Sequence, residues 1–339
     1  MKRRSFLAGA ALVGQVPGLP VLAQTAGRAQ LESKIVRLKL RHTWTTTMSS
    51  SEYRDTLHVS YRRDGLTGHG EGAPIVRYHE DAVSAGKAVE SVRGLLLSAA
   101  PMQFAKVMAQ VFQRVSGEWA GKAAIDIALM DWVGQKLKIP LYTYFGLDPK
   151  DTPLTTFSIG IDSPDITRQK TREAAEYPIL KVKVGARKID WLARQGVQFI
   201  EQPLPAEMIE ETRWLRSRVG IPIIADEACQ RASDIPKLKE AYDGVNVKLD
   251  KAGGMLEAYR MIQIAKALGM KTMLGCMISS SVSVTAAAHL SPLVDYADLD
   301  GNLLIANDPF RGVRVEKGKL ILPDRPGLGL EQSGPASRK

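Results

Sequence analysis

Leu180-Lys181-Val182-Lys183, Phe199-Ile200-Glu201-Gln202-Pro203, Ile224-Ala225-Asp226-Glu227 and Val247-Lys248-Leu249 follow one another within 72 residues of chain. Each charged residue closes a short apolar run (ILKVK, VQFIE, IPIIAD, GVNVK), and segments of helical composition separate the runs. A short apolar run between turn signals reads as a strand buried on both faces. Strands alternating with helices build a parallel sheet from βα units. Charged residues at the C-terminal ends of such strands lie where barrel enzymes do their chemistry. Two lysines and two carboxylates are therefore expected to converge on one mouth.

Working outward, seven strands are predicted, over 154–161, 179–184, 197–201, 221–226, 244–249, 271–275 and 295–299. A closed barrel of this kind has eight. The shortfall lies between Val184 and Val197, where GARKIDWLARQG has room for one helix, Ile189–Gln195, and for no strand. Upstream, residues 31–80 read as strands, with Asp64-Gly65 as a hairpin turn. Residues 81–145 read as helices, with Ile125, Leu129, Trp132 and Val133 at helical spacing and Gly134 tolerated among them. Strands followed by helices make an α+β unit distinct from the barrel. Val313 to Leu322 reads as a returning strand pair, and the Pro- and Gly-rich tail from Pro323 is expected to be disordered towards Lys339. The expected divisions are 1–28, 29–150, 151–310 and 311–339.

The 339 residues are 45% hydrophobic and 24% charged, ordinary values for a globular protein. Cys229 and Cys276 form no disulfide framework and no CxxC site, and the five histidines show no metal-binding spacing. The net charge is +10. Residues 1–28 hold Lys2, Arg3, Arg4 and Arg28 without an acid, so +6 remains beyond them. That remainder is scattered, with no arginine stripe or aromatic ladder, which argues against a nucleic-acid partner. Lys2-Arg3-Arg4-Ser5-Phe6-Leu7 is a twin-arginine pattern, followed by a moderately apolar run and a small-residue cleavage site near Ala23. Periplasmic export in a folded state is the expectation. Gly14, Pro17, Gly18 and Pro20 interrupt the apolar run, so it is no membrane span.

Ten segments in order resemble successive signatures of the enolase superfamily. They are RHTWTTTMSS, GEGAP with RY, AAIDIALMDW, TFSIGID, LKVKVG, FIEQPLP, IIADEAC, NVKLDKAGG, LGCM and DLDGNLLI. The resemblance is to the muconate-cycloisomerase-like branch that contains the dipeptide epimerases, and it covers nearly the whole chain beyond residue 28. It implies a TIM-type (β/α)7β barrel beneath an N-terminal α+β capping domain, the barrel here lacking one βα unit.

The implied reaction is epimerisation of an L,L-dipeptide of the Ala-Glu kind. A proton leaves the α-carbon beside the carboxylate and returns to the other face, by way of an enediolate. Two opposed bases and a divalent cation such as Mg²⁺ serve that chemistry. A lysine base needs neighbouring positive charge and desolvation to lower its pKa. By the resemblance, Lys183 and Lys248 are the two acid/bases, and Lys181 stabilises the substrate carboxylate and depresses Lys183. Glu201 and Asp226 match two of three metal carboxylates, with Glu227 beside the site. Asp298 and Asp300 match the pair that holds a dipeptide's α-ammonium, a charge-assisted arrangement. That pair argues against acyl-amino-acid and muconate substrates. Ser158, Cys276 and Ile278 fall on positions that contact the dipeptide. The cap segment Arg41–Glu52 is expected to set side-chain specificity. No role falls to Lys251.

Two departures stand out. The family's third metal carboxylate belongs to the strand that is missing, and Asp190 does not replace it. Ser279 stands where relatives usually carry a glutamate. These departures leave a second reading open, a relative that binds dipeptides without turning them over. A homo-oligomer is compatible with either.

Overall fold

The computed structural model describes residues 28–45, 50–183, 194 and 196–334. The twin-arginine segment, Asp190 and most of the 185–196 connection lie outside the described residues, as do the tip of the first hairpin at 46–49 and the last five residues.

The first unit is a three-stranded antiparallel sheet in the order β1-β2-β3: β1 (Gln30–Thr45), β2 (Ser50–Arg63) and β3 (Leu66–Gly72). Asp64 and Gly65 form its two-residue loop with φ of 51° and 75°, the paired positive values that a tight hairpin requires. Alternation sends Leu57, Val59 and Tyr61 inward. Four helices follow, α1 (Ala82–Ser91), α2 (Arg93–Ser98), α3 (Phe104–Arg114) and α4 (Trp119–Leu137).

β3, LTGHGEG, lacks the bulk of an ordinary strand because α4 lies directly on it. Added Cβ atoms at Gly68, Gly70 and Gly72 would stand 2.0, 1.9 and 2.0 Å from the carbonyl oxygens of Ala128, Ala124 and Ala120. Three glycines on one strand face thus meet three carbonyls spaced four residues apart on the helix, an i, i+4 row. α4 is buried on all sides from Ala120 to Gly134. Ala124, Leu129 and Trp132 pack into the core of the first unit, while Ala123, Ile127 and Met130 pack into the barrel core. Gly134 is required there rather than merely tolerated: a Cβ would lie 2.7 Å from the Cα of Gly327.

All seven expected parallel strands are present: β4 (Phe157–Ile159), β5 (Leu180–Val182), β6 (Ile200–Glu201), β7 (Ile223–Ala225), β8 (Gly244–Lys248), β9 (Lys271–Gly275) and β10 (Tyr296–Asp298). β6 to β10 form one sheet in sequence order, β4 pairs with β5, and a parallel bridge from Thr155 to Ala297 joins β4 to β10. The strands therefore make an arc, β5-β4-β10-β9-β8-β7-β6. Among the described residues no ladder joins β5 to β6, and Val182 and Val197 flank this seam 46% and 37% exposed. The seam is where the missing unit would stand.

Carboxylates weld the two units together. Asp126 on α4 accepts the N–H of Met255 at 2.5 Å, capping the barrel helix Met255–Ala267. Gly254 permits this, since a Cβ there would fall 2.3 Å from the Cβ of Asp126. Glu71 at the end of β3 accepts from the N–H groups of Ser280 and Ser283, at 2.9 and 3.1 Å, at the start of the helix Ser281–Ala288. Asp250 accepts the N–H of Ala73 at 2.7 Å. Carboxylates at helix N-termini answer both the unpaired amides and the helix dipole.

The returning pair is Arg314–Glu316 with Lys319–Ile321. The tail is more ordered than its composition implies. Glu331–Gln332 pairs with Phe310–Arg311, Leu328 is buried, and its N–H donates to Asp131 Oδ1 at 2.8 Å.

Candidate active site

The register levels some of the charged groups, while Glu201, opposite Ile224 and through it Gly244, starts lower on its strand. Lys248 on β8 is opposite Gly275 on β9, and Gly275 is opposite Asp298 on β10. Ser158 on β4 is opposite Lys181 on β5. Each residue stands at or next to the C-terminal end of its strand, so the side chains meet at one mouth.

Lys181 Nζ lies 2.6 Å from Glu201 Oε2, spanning the seam, and also donates to Asp298 Oδ2. Lys183 Nζ is 3.8 Å from the same oxygen of Glu201. Lys248 Nζ donates to Asp226 Oδ2 at 2.7 Å. Asp298 Oδ1 accepts from Thr156 Oγ1 at 2.5 Å and from Ser158 Oγ at 3.4 Å, and Asp300 accepts the Ser158 N–H at 2.6 Å. Lys181, Lys183, Glu201, Asp226, Lys248, Asp298, Asp300 and Ser158 are thus brought together. The Cys276 N–H donates to Asp298 O at 3.1 Å, and its sulfur would lie 3.1 Å from a Cβ on Gly301. Burial, with Asp300 and Asp298 nearby, pushes its thiol well up, so it is a protonated wall rather than a nucleophile. Ile278 sits half-buried in the loop after β9. No hydrogen bond to Ile278 is seen among the described residues. Glu227 turns to the first unit, with Arg77 Nη1 3.1 Å from its Oε1. Ser279 is buried and donates to Met277 O at 3.2 Å.

Three further residues belong to the site. Lys251 is buried and spends its three protons on Asp226 Oδ1 (2.7 Å), Asp226 O (2.6 Å) and Asn246 O (2.9 Å). It fixes Asp226 so that the other oxygen faces Lys248. Asn246, also buried, donates to Glu201 Oε1 at 2.5 Å, leaving its own Oδ1 buried without a partner among the described residues. Gln202, at a left-handed φ of 42°, turns its Oε1 to the N–H groups of Asp226 (2.9 Å) and Ala228 (3.1 Å). The signal for Asn246 was its i, i+2 relation to Lys248 within one strand. For Lys251 it was the i, i+3 step across one helical turn, Leu249–Ala252.

The two candidate acid/bases are pulled apart. Lys181's charge, together with burial, pushes Lys183 below the usual lysine range. Burial also works against the charge on Lys248, but Asp226 and Glu201 outweigh it and hold Lys248 above that range. Lysine depression therefore reaches one of the pair and not the other. Burial would raise Asp298, yet Lys181 holds it low, whereas burial and the neighbouring Asp298 lift Asp300 to about 7.

Glu201 and Asp226 are hard oxygen donors, and the orphaned Asn246 Oδ1 adds a third oxygen. Among the described residues no group of three acids, histidines or cysteines gathers for a metal ion. Two carboxylates still fit Mg²⁺, which keeps several waters and takes one or two protein carboxylates.

The Mandelate racemase / muconate lactonizing enzyme, N-terminal domain family matches residues 31–146, and the Enolase C-terminal domain-like family matches residues 180–336. The L-Ala-D/L-Glu epimerase of Bacteroides thetaiotaomicron is 39% identical over 333 residues, covering 86% of this chain and 85% of that protein. The L-Ala-D/L-amino acid epimerase of Pedosphaera parvula is 38% identical, covering 86% and 96%. Among solved structures, the dipeptide epimerase of Enterococcus faecalis V583, complexed with Mg and L-Leu-L-Tyr, aligns with a TM-score of 0.83 at 29% identity, covering 91% of this chain and 99% of that one. An alignment 333 long takes in only 86% of this chain, so roughly 40 positions of the Bacteroides protein have no counterpart here, slightly more than one βα unit of ~30 residues. The fold, the strand-end charges and these matches lead to one conclusion: this chain belongs to the enolase superfamily, in its mandelate racemase and muconate lactonizing enzyme branch, as a relative of the dipeptide epimerases.

Proposed function

We propose that the protein is an isomerase, a dipeptide epimerase that moves the α-proton of an L,L-dipeptide of the Ala-Glu kind from one face to the other. The observation that carries this reading is the pair Lys183 and Lys248. They stand at the ends of separate strands of one mouth, Lys183 Nζ 3.8 Å from Glu201 and Lys248 Nζ 2.7 Å from Asp226. Relatives named as epimerases and Mg-complexed epimerase structures support it.

Asp298 and Asp300, braced by Thr156 and Ser158, take the substrate ammonium and orient the chain of the dipeptide. Lys181 faces the carboxylate end. Lys183, the depressed lysine, accepts the α-proton from its side. Lys248, beside Asp226, returns a proton from the other. Glu201 and Asp226 are the residues that would hold Mg²⁺, which when bound draws negative charge into the substrate carboxylate and eases loss of the proton. Asn246, Gln202 and Lys251 hold those two carboxylates in place. The twin-arginine segment, read as an export signal cleaved near Ala23, puts this activity in the periplasm. Sequencing the N terminus of exported protein checks that assignment.

The test is deuterium uptake at the α-carbon of L,L-dipeptides in D₂O, with and without Mg²⁺. Uptake that requires Mg²⁺ and falls about 10²–10⁴-fold in Lys183→Ala is expected, the usual worth of a general base. Full uptake by Lys183→Ala would sink the mechanism. A second reading is favoured by one observation, that Glu201 and Asp226 are already paired to lysines. In it the chain binds dipeptides without epimerising them. Calorimetry showing Mg²⁺-independent binding, with no uptake, selects that reading.

A further inference from the structure

Lys181 touches both ends of the mouth. Its Nζ contacts Asp298 Oδ2 on β10 and lies 2.6 Å from Glu201 Oε2 on β6, with the side chain 12% exposed. The other oxygen of Asp298 is taken by Thr156 and Ser158. Oδ2 is therefore the oxygen of Asp298 left for a ligand ammonium, and Lys181 already holds it. Two ammonium groups on one carboxylate oxygen repel each other strongly in a buried site.

We propose that Lys181 is an internal competitor for the ammonium subsite and makes the mouth selective for zwitterions. This rests on the dipeptide reading above. A ligand ammonium takes Asp298 only when the same ligand brings a carboxylate that receives Lys181.

The charge balance supplies the reason. A plain amine that displaces Lys181 adds one positive charge to the mouth. It also leaves Lys181 sharing Glu201 Oε2 with Lys183, 3.8 Å from that oxygen. A dipeptide adds no net charge at its backbone ends, and its carboxylate gives Lys181 a new partner. An N-acylated amino acid brings the carboxylate but no ammonium, so nothing replaces Lys181 on Asp298, which is buried and would be left unpaired. Loss of a partner from a buried charge is costly. The two ends of the ligand are thus coupled through one side chain, and such coupling is reciprocal. Lys181 is in this sense a specificity-determining residue, over and above any contact it makes with the substrate carboxylate.

The experiment is calorimetric binding to the purified chain in the presence of Mg²⁺. The probes are L-Ala-L-Glu, its α-carboxamide and N-acetyl-L-Ala-L-Glu. In the unaltered protein the free dipeptide binds more tightly than either derivative. In Lys181→Met the free dipeptide weakens while the α-carboxamide strengthens by about tenfold, within the ~5–150-fold range typical of coupling between sites. A lysine that only held the substrate carboxylate would leave the affinity for the carboxamide unchanged, and that outcome overturns the proposal. A second measurement avoids substitution. Acetate in place of chloride at equal ionic strength should tighten carboxamide binding to the unaltered protein several-fold, because acetate receives Lys181. An identical affinity in the two salts overturns it as well. If no dipeptide binds to either protein, the dipeptide reading falls and this inference with it. If dipeptide binds and the carboxamide responds to neither change, only this inference falls.

Discussion

At Gly275 a hydrogen atom stands where a side chain would block the site. An added Cβ would lie 2.6 Å from Asn246 Oδ1 and 3.0 Å from Lys248 Cε, on the neighbouring strand. Gly275→Ala is therefore expected to displace the lysine and the amide that positions Glu201. Misplacement on that scale costs about 10²-fold in rate, and overpacking costs about 1–3 kcal/mol in stability. Deuterium exchange and a denaturant melt on the same sample separate the two effects. Loss of stability with undiminished exchange would show that Lys248 does not depend on this gap. The charged residues at strand ends were legible in the sequence because an apolar run that stops in a charge has little choice of position. Asn246 was not singled out, and Lys251 was given no role. One lies in mid-strand and the other past the strand end, and only the folded register shows that both converge on Glu201 and Asp226.

At the scale of elements, the seven strands, the Asp64-Gly65 hairpin and the returning pair could all be read from pattern and turn chemistry. What pattern could not supply was the demand of one element on another. Gly134 looked merely permitted until the tail packed against it, and the tail looked loose until Leu328 found Asp131. The same applies to the carboxylates of the first unit that cap barrel helices. Glu71 is fully buried, and burial would raise its pKa, but His58 and the Ser280 N–H and hydroxyl hold it at about 2. Glu71→Gln replaces a charge-assisted cap by a neutral one and should cost about 1–3 kcal/mol. A urea titration measures this, and a midpoint unchanged from the parent would mean the helix start is satisfied without it.

His289 provides the pH counterpart, at the end of the helix Ser281–Ala288. Its Nδ1 accepts the Tyr142 N–H at 3.2 Å, its Nε2 faces Leu328 O at 3.3 Å, and burial pushes its pKa down to about 4. The unfolded chain therefore binds this proton between about pH 6.5 and 4 while the folded chain does not. Stability from this group is complete above pH 6.5 and is lost as the pH falls towards 4, by about 3 kcal/mol in all. Unfolding at pH 7.5 and pH 5.0 should show a larger acid loss in the parent than in His289→Asn. Equal losses would exclude the imidazole as the cause.

For the whole molecule, the missing βα unit was visible in the sequence as a length, too short between Val184 and Val197 to hold a strand. How the barrel would respond was not visible, because closure depends on all the other strands at once. The result is an arc whose two ends approach at the mouth through Lys181 and Glu201, with no ladder between β5 and β6 among the described residues. Backbone groups at an unpaired edge open more readily than those inside a sheet. Amides of Leu180–Val182 and Ile200–Glu201 should exchange with deuterium faster than those of Gly244–Lys248 and Lys271–Gly275. Equal protection across the four segments would indicate that the seam is zipped in solution.

The seam also makes this chain a recipient. Among the described residues, β5 and β6 face each other with no ladder between them. A βα module transplanted from a relative into the 184–197 connection would enter at this seam, between Lys181 and Glu201. Protein engineers could then ask, in one polypeptide with and without its insert, what a single strand contributes to an enzyme.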